Sequence, residues 1–146
     1  MNRHNEMEIH FLSVPENEAF ARVVVSAFAV QLSPTVAEIA DVKTAVSEAV
    51  TNAIVHGYRD ALGEVQLHMT ITDDRVFRAE IKDKGCGIPD VGKARQPLYT
   101  TDAAGERSGM GFTVMESFTD ALKVTSKVGK GTTVTMWKKL SERGRI

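Results

Sequence analysis

The chain has 146 residues, 42% of them hydrophobic and 25% charged, and its net charge is −1. That length and balance suit one soluble globular domain, residues 1–146, with a sizeable core, and the near-neutral charge gives no electrostatic case for nucleic acid or an anionic membrane as the main partner. The single cysteine excludes an internal disulfide, MNRHNEMEIHF lacks the apolar run of a signal peptide, and no stretch approaches the ~18 apolar residues of a membrane span, so a cytoplasmic protein is expected.

In chain order, residues 7–14 alternate (Met7, Ile9 and Phe11 against Glu8 and His10) and predict a strand. Pro15 then stands near a helix start, where proline fits. Phe20, Val23, Val24, Ala27 and Phe28 follow at helical spacing, and this helix stops by Ser33-Pro34. A second helix is expected from about Thr35 to His56, with Gly57 ending it as a C′ residue. It carries an apolar stripe of Ala49, Val50, Ala53 and Ile54. Beside that stripe stands a column of Glu48, Asn52 and His56, spaced one turn apart.

Two period-2 segments, residues 65–71 and 77–81, meet at Asp73-Asp74 as a hairpin. Residues 83–111 then hold six of the eleven glycines. A long mobile loop is expected over about 88–108, and loops of that length in compact domains are usually functional. A short helix (about 110–118) and two strands (121–128 and 132–140) turning at VGKGT complete the chain. Clustered helices and hairpin-linked strands imply an α/β (α+β) two-layer sandwich. Its sheet is mixed and mostly antiparallel, with helices on one face.

DKGCGIPD (83–90) follows a strand, so Asp83 sits at the strand exit while Gly85 and Gly87 let the backbone turn tightly near a ligand. It is not a dinucleotide fingerprint, because the third glycine is missing; GKGTT (129–133) likewise lacks the spacing of a phosphate-binding P-loop. SGMGF (108–112) opens a helix, and amides there can hold phosphate. Taken singly, each has a plain reading: a glycine-rich turn, a hinge, a solvated glutamate. His56 reads as structural or capping and Cys86 as a small filler. Lys93, Arg95 and Arg107 are ordinary surface charges that together suit phosphates.

The order of these motifs is more specific than any one of them. Glu-x3-Asn on a helix, Asp-x-Gly-x-Gly after a strand, a long loop, Gly-x-Gly at a helix start and Gly-Thr before the last strand resemble the ATP site of the GHKL family, shared by gyrase, histidine kinases and MutL. That likeness spans about residues 44–137. SEAVTNAIVHGY, DKGCGIPD, ARQPLYTT, ERSGMGFTVME and, upstream, NEAFARVVVSAF resemble more closely the anti-sigma F factor family of serine kinases, which differs from sensor histidine kinases in placing Glu where those have Asn.

The resemblance implies an ATP/ADP site with Mg²⁺. Asp83 would read the adenine 6-amino group and prefer ATP over GTP, with Thr132 or Thr133 assisting. Asn52 would supply a hard oxygen to Mg²⁺. Ser108, Gly109, Met110 and Gly111 would cradle the phosphates, and Arg107 would clamp the terminal one. Glu48, one turn from the metal ligand, would orient and deprotonate an incoming serine hydroxyl. Residues 88–108 would form an ATP lid. The same resemblance implies a sporulation sigma factor as binding partner, an anti-anti-sigma factor as protein substrate, and a homodimer. Alternatives are an anti-sigma kinase of a stress-response sigma factor, a histidine-kinase ATP-binding domain, and a nucleotide-gated sigma-binding protein without significant turnover. The outer side of the first helix around Arg22 is the first place to seek a partner surface.

Overall fold

The alternation that marks residues 65–81 becomes the centre of a five-stranded sheet. A computed structural model describes residues 3–96 and 110–141. Its strands are β1 (Arg3–Leu12), β2 (Glu64–Thr72), β3 (Val76–Asp83), β4 (Ala121–Lys127) and β5 (Gly131–Lys139), in the spatial order β1-β2-β3-β5-β4. All four pairings are antiparallel, so the expected sandwich is present without the parallel component that a mixed sheet would contain.

Period-2 geometry sends alternate side chains to opposite faces. Val65, Leu67, Met69 and Ile71 of β2, Phe77, Ala79 and Ile81 of β3, and Val134 and Met136 of β5 are buried on one face. The helices cover that face: α1 (Glu16–Ala29), α2 (Val36–Thr51) and α4 (Phe112–Phe118), with a one-turn helix α3 (Val91–Ala94) inside the expected loop. The opposite face is polar. Glu6, Glu8, His68 and Glu80 lie there in ladder register, and the Arg78 guanidinium sits 5.7 Å over the ring of Trp137.

α2 begins with reciprocal capping. Thr35 Oγ1 accepts the Glu38 N–H at 3.0 Å and Glu38 Oε1 accepts the Thr35 N–H at 2.9 Å, satisfying two otherwise orphaned donors. The expected stripe of Ala49, Val50, Ala53 and Ile54 is buried. The stripe expected on α1 is buried only in part. The helix buries Ala21, Val25, Phe28 and Ala29, whereas Phe20 is 56% and Val23 63% exposed. Apolar residues surround more than half of this helix, so spacing alone does not choose the packed side. Of the expected stripe, Phe28 is buried and Val24 packs partly against the core, while Phe20, Val23 and Ala27 face outward.

Candidate functional site

α2 does not run on unchanged to His56. After Thr51 the chain widens into a single π-helical turn, Asn52–Gly57, closed by the Tyr58 N–H donating to the Ala53 carbonyl at 3.0 Å. Such turns recur at functional sites because they re-aim the side chains around them. Gly57 does not adopt the left-handed conformation expected of a C′ residue. Its glycine is needed for close approach: a Cβ there would stand 2.9 Å from Cγ and Oδ1 of Asp83. The Gly57 carbonyl in turn accepts the Cys86 N–H at 2.9 Å, pinning the glycine-rich loop to the helix end.

Asp83 closes β3 directly opposite Thr132 of β5 and is 7% exposed. Burial, the larger influence, pushes its carboxyl above the ordinary aspartate range, while the backbone N–H groups of Gly85 and Thr132 pull the other way. The Gly85 N–H reaches Oδ1 at 2.8 Å. A buried carboxylate with acceptor capacity beyond two backbone donors suits a ligand amino group.

Asn52 donates from Nδ2 to the Met110 carbonyl at 2.6 Å, which leaves its carbonyl oxygen to face elsewhere as a hard, neutral ligand. One turn earlier, Glu48 is half-buried against the start of α4. A Cβ on Gly111 would lie 2.3 Å from Glu48 Oε1, and Gly111 has φ +73°. Only glycine meets both conditions at modest cost.

Asn52, Asp83, Met110 and Thr132 line one cleft, with Ala49, Ile81, Phe112 and Val134 as its apolar wall. Polar groups set in an apolar cleft are the usual build of a small-molecule site. The structure thus brings together Asn52, Asp83, Met110 and Thr132, with Glu48 against Gly111 beside them. Thr133 is on the other face of the sheet, opposite Lys82, as strand alternation requires. Gly85 and Gly87 shape the loop instead of lining the cleft: a Cβ would meet the Gly57 carbonyl oxygen at 2.1 Å or the Lys127 carbonyl oxygen at 2.3 Å. Arg95 is engaged by Glu116 of α4 at 2.5 Å. Arg107, Ser108 and Gly109 lie outside the described residues, as does most of the expected lid.

His56 and Gly57 also line the cleft. For His56 the signal was its spacing four residues after Asn52; for Gly57 it was visible only as a helix stop. Among the described residues no cluster of three or more His, Cys, Asp or Glu is placed to hold a metal ion.

A family model described as "Histidine kinase-like ATPase domain" matches residues 11–138. Among curated proteins, an anti-sigma F factor of Caldanaerobacter subterraneus subsp. tengcongensis is 55% identical over 138 residues, 94% of this chain and 96% of its own length. One from Geobacillus stearothermophilus is 51% identical, with 95% of each chain covered. The chain belongs to the anti-sigma F factor family of histidine kinase-like ATPase domains. It therefore carries a nucleotide-binding domain of the ATPase and kinase type. The fold is shared with the RsbU and RsbW domains of a Mycobacterium tuberculosis protein, at TM-score 0.69 and 20% identity over 93% of this chain and 32% of that one. It is shared too with a histidine kinase domain from Erythrobacter litoralis, at TM-score 0.54 and 27% identity over 71% of this chain and 45% of that one. Among the described residues no helix is long and apolar enough to cross a membrane.

Proposed function

We propose that this chain is an ATP-dependent serine protein kinase and anti-sigma factor: it sequesters a sporulation sigma factor and phosphorylates a serine on the anti-anti-sigma factor. The reading is carried by the convergence of Asn52, Asp83 and Thr132 on one cleft, with Glu48 one turn from Asn52. Asp83 accepts from the adenine 6-amino group. Guanine presents a carbonyl oxygen there, and leaving the buried acceptor unpaired disfavours it by about 1–3 kcal/mol. The Asn52 carbonyl oxygen serves Mg²⁺, which neutralises charge on the phosphates when bound.

Glu48 takes the proton of the serine hydroxyl as that oxygen attacks the terminal phosphorus and ADP departs. The transition state is loose, so holding the hydroxyl in line matters more than base strength. Arg107 clamps the terminal phosphate, and Ser108, Gly109, Met110 and Gly111 supply amides to the chain of phosphates. The partner surface is the outer side of α1, where Phe20 and Val23 are exposed beside Arg22, with Val30 exposed just past the helix end. The chain works as a homodimer.

The test is to incubate the chain with γ-labelled ATP and the candidate anti-anti-sigma protein. Acid-stable label on a serine of that protein is expected. Acid-labile label would indicate a histidine kinase. No transferred label, with sigma-factor binding retained, would leave only a nucleotide-gated binder.

A further inference from the structure

Ser126 lies outside every motif above, yet its hydroxyl stands behind the base end of the cleft. It faces Thr132 across the β4–β5 ladder. Its Oγ is 2.8 Å from Thr132 Oγ1, accepts the Ile88 N–H at 2.7 Å and lies 3.0 Å from the Gly131 carbonyl oxygen. A serine hydroxyl has one proton and two acceptor lone pairs. Ile88 occupies one lone pair. The single proton then serves either Gly131 or Thr132.

We infer that Ser126 is a positioning residue for base recognition: it backs the Thr132 hydroxyl so that Thr132 can donate its proton to N1 of adenine. This rests on the proposed nucleotide site. On adenine, N1 is an acceptor adjacent to the 6-amino group. The 6-amino group is flanked by two acceptors, N1 on the pyrimidine edge and N7 on the imidazole edge; the orientation inferred here sets N1 on Thr132, the residue directly across β3–β5 from Asp83. With the cleft empty, Thr132 donates to Ser126 and Ser126 donates to Gly131, so every polar atom is served. When N1 asks for a proton, Thr132 turns its hydroxyl to the base. Ser126 then swings its own proton from Gly131 to Thr132. Both hydroxyl protons keep an acceptor in the second arrangement, the Gly131 carbonyl oxygen giving up the Ser126 proton, and the chain Ser126→Thr132→N1 is strengthened because each bond polarises the next. The same oxygen holds the Ile88 N–H throughout, so the residue that backs the base reader also anchors the start of the segment following the glycine-rich loop.

The experiment compares binding of ATP with binding of 1-deaza-ATP, which keeps the 6-amino group but replaces N1 by C–H. The wild-type chain is expected to favour ATP. Ser126→Ala weakens ATP about five-fold, the worth of one neutral hydrogen bond, and leaves 1-deaza-ATP within two-fold. Ser126→Thr, which keeps a hydroxyl, restores the ATP value. In a Thr132→Val background Ser126→Ala has no further effect on ATP, because the two residues act as one unit. Should Ser126→Ala fail to fold, Ser126→Cys, a weak donor of similar shape, is read the same way. A loss shared equally by ATP and 1-deaza-ATP would mark Ser126 as a purely structural support of Ile88 and overturn the inference. So would no loss with either nucleotide, or a wild type that does not distinguish the two. A wild type that binds neither nucleotide would instead overturn the nucleotide site itself.

Discussion

Replacing Asp83 by Asn removes one charge and keeps the shape, so it isolates what the carboxylate does. The Gly85 N–H, 2.8 Å from Oδ1, and the Thr132 N–H both need an acceptor. An asparagine can offer its oxygen to one of them only. Its amide nitrogen then points either at the other N–H or into the cleft, where donor meets the 6-amino donor. The lost bond is one to a charged acceptor, worth about 1.5–3 kcal/mol, so ATP affinity should fall by about 10- to 150-fold. GTP should lose less, since its 6-oxygen can accept from the new amide, and the ATP preference should shrink accordingly. Stability adds a pH dependence. Because burial raises the folded pKa of Asp83 above its ordinary value, folding disfavours its ionised form. That penalty is present above the folded pKa and relieved as pH falls toward the unfolded one. Asp83→Asn escapes that penalty but leaves one backbone N–H without an acceptor, so its stability relative to wild type should be highest at neutral pH and fall on acidification through that window. Calorimetric titration with ATP and GTP, beside thermal melts across pH, measures both. A folded Asp83→Asn chain that binds ATP within two-fold of wild type would refute the assignment.

Glu48→Gln should keep ATP affinity and lose phosphoryl transfer by about 10²- to 10⁴-fold, the usual worth of a positioned base; labelled-phosphate transfer against equilibrium binding separates the two. Gly111→Ala forces a side chain into φ +73° and against Glu48 Oε1. It should cost about 1–2 kcal/mol of stability and impair transfer as well, seen as a lower Tm than that of Glu48→Gln. Arg22→Glu reverses a charge on the exposed face of α1, where Arg22 pairs with Glu18 at 3.5 Å. Sigma-factor capture in a pull-down should fail while ATP titration is unchanged; retained capture would move the partner surface elsewhere.

The hairpins and the helix stripe of α2 were readable because each writes one clear period into the chain. Asp83 at a strand exit, four residues of Glu48-to-Asn52 spacing, and Gly111 at a helix start were readable because they are local. What escaped was non-local. The side of α1 that packs is chosen by its neighbours in space, α2 and the core, which no spacing within Phe20–Phe28 records. Thr132 and Thr133 look alike in GTT until the β3–β5 register assigns one to each face. The π-turn at Asn52–Gly57 has no signature of its own; the near-contact between Gly57 and Asp83 that accompanies it joins residues far apart in the chain. Ser126 reads as an ordinary polar strand residue until pairing sets it behind Thr132.

Trp137 is the only tryptophan in the chain, and it shares a strand with Thr132 while standing on the polar side of the sheet beneath Arg78. The molecule thus has a native optical reporter fixed to the back of its ligand cleft. The guanidinium and the solvent lie above the indole, so it registers whatever settles on that outer surface and is insulated, by the thickness of one sheet, from the cleft on the other side.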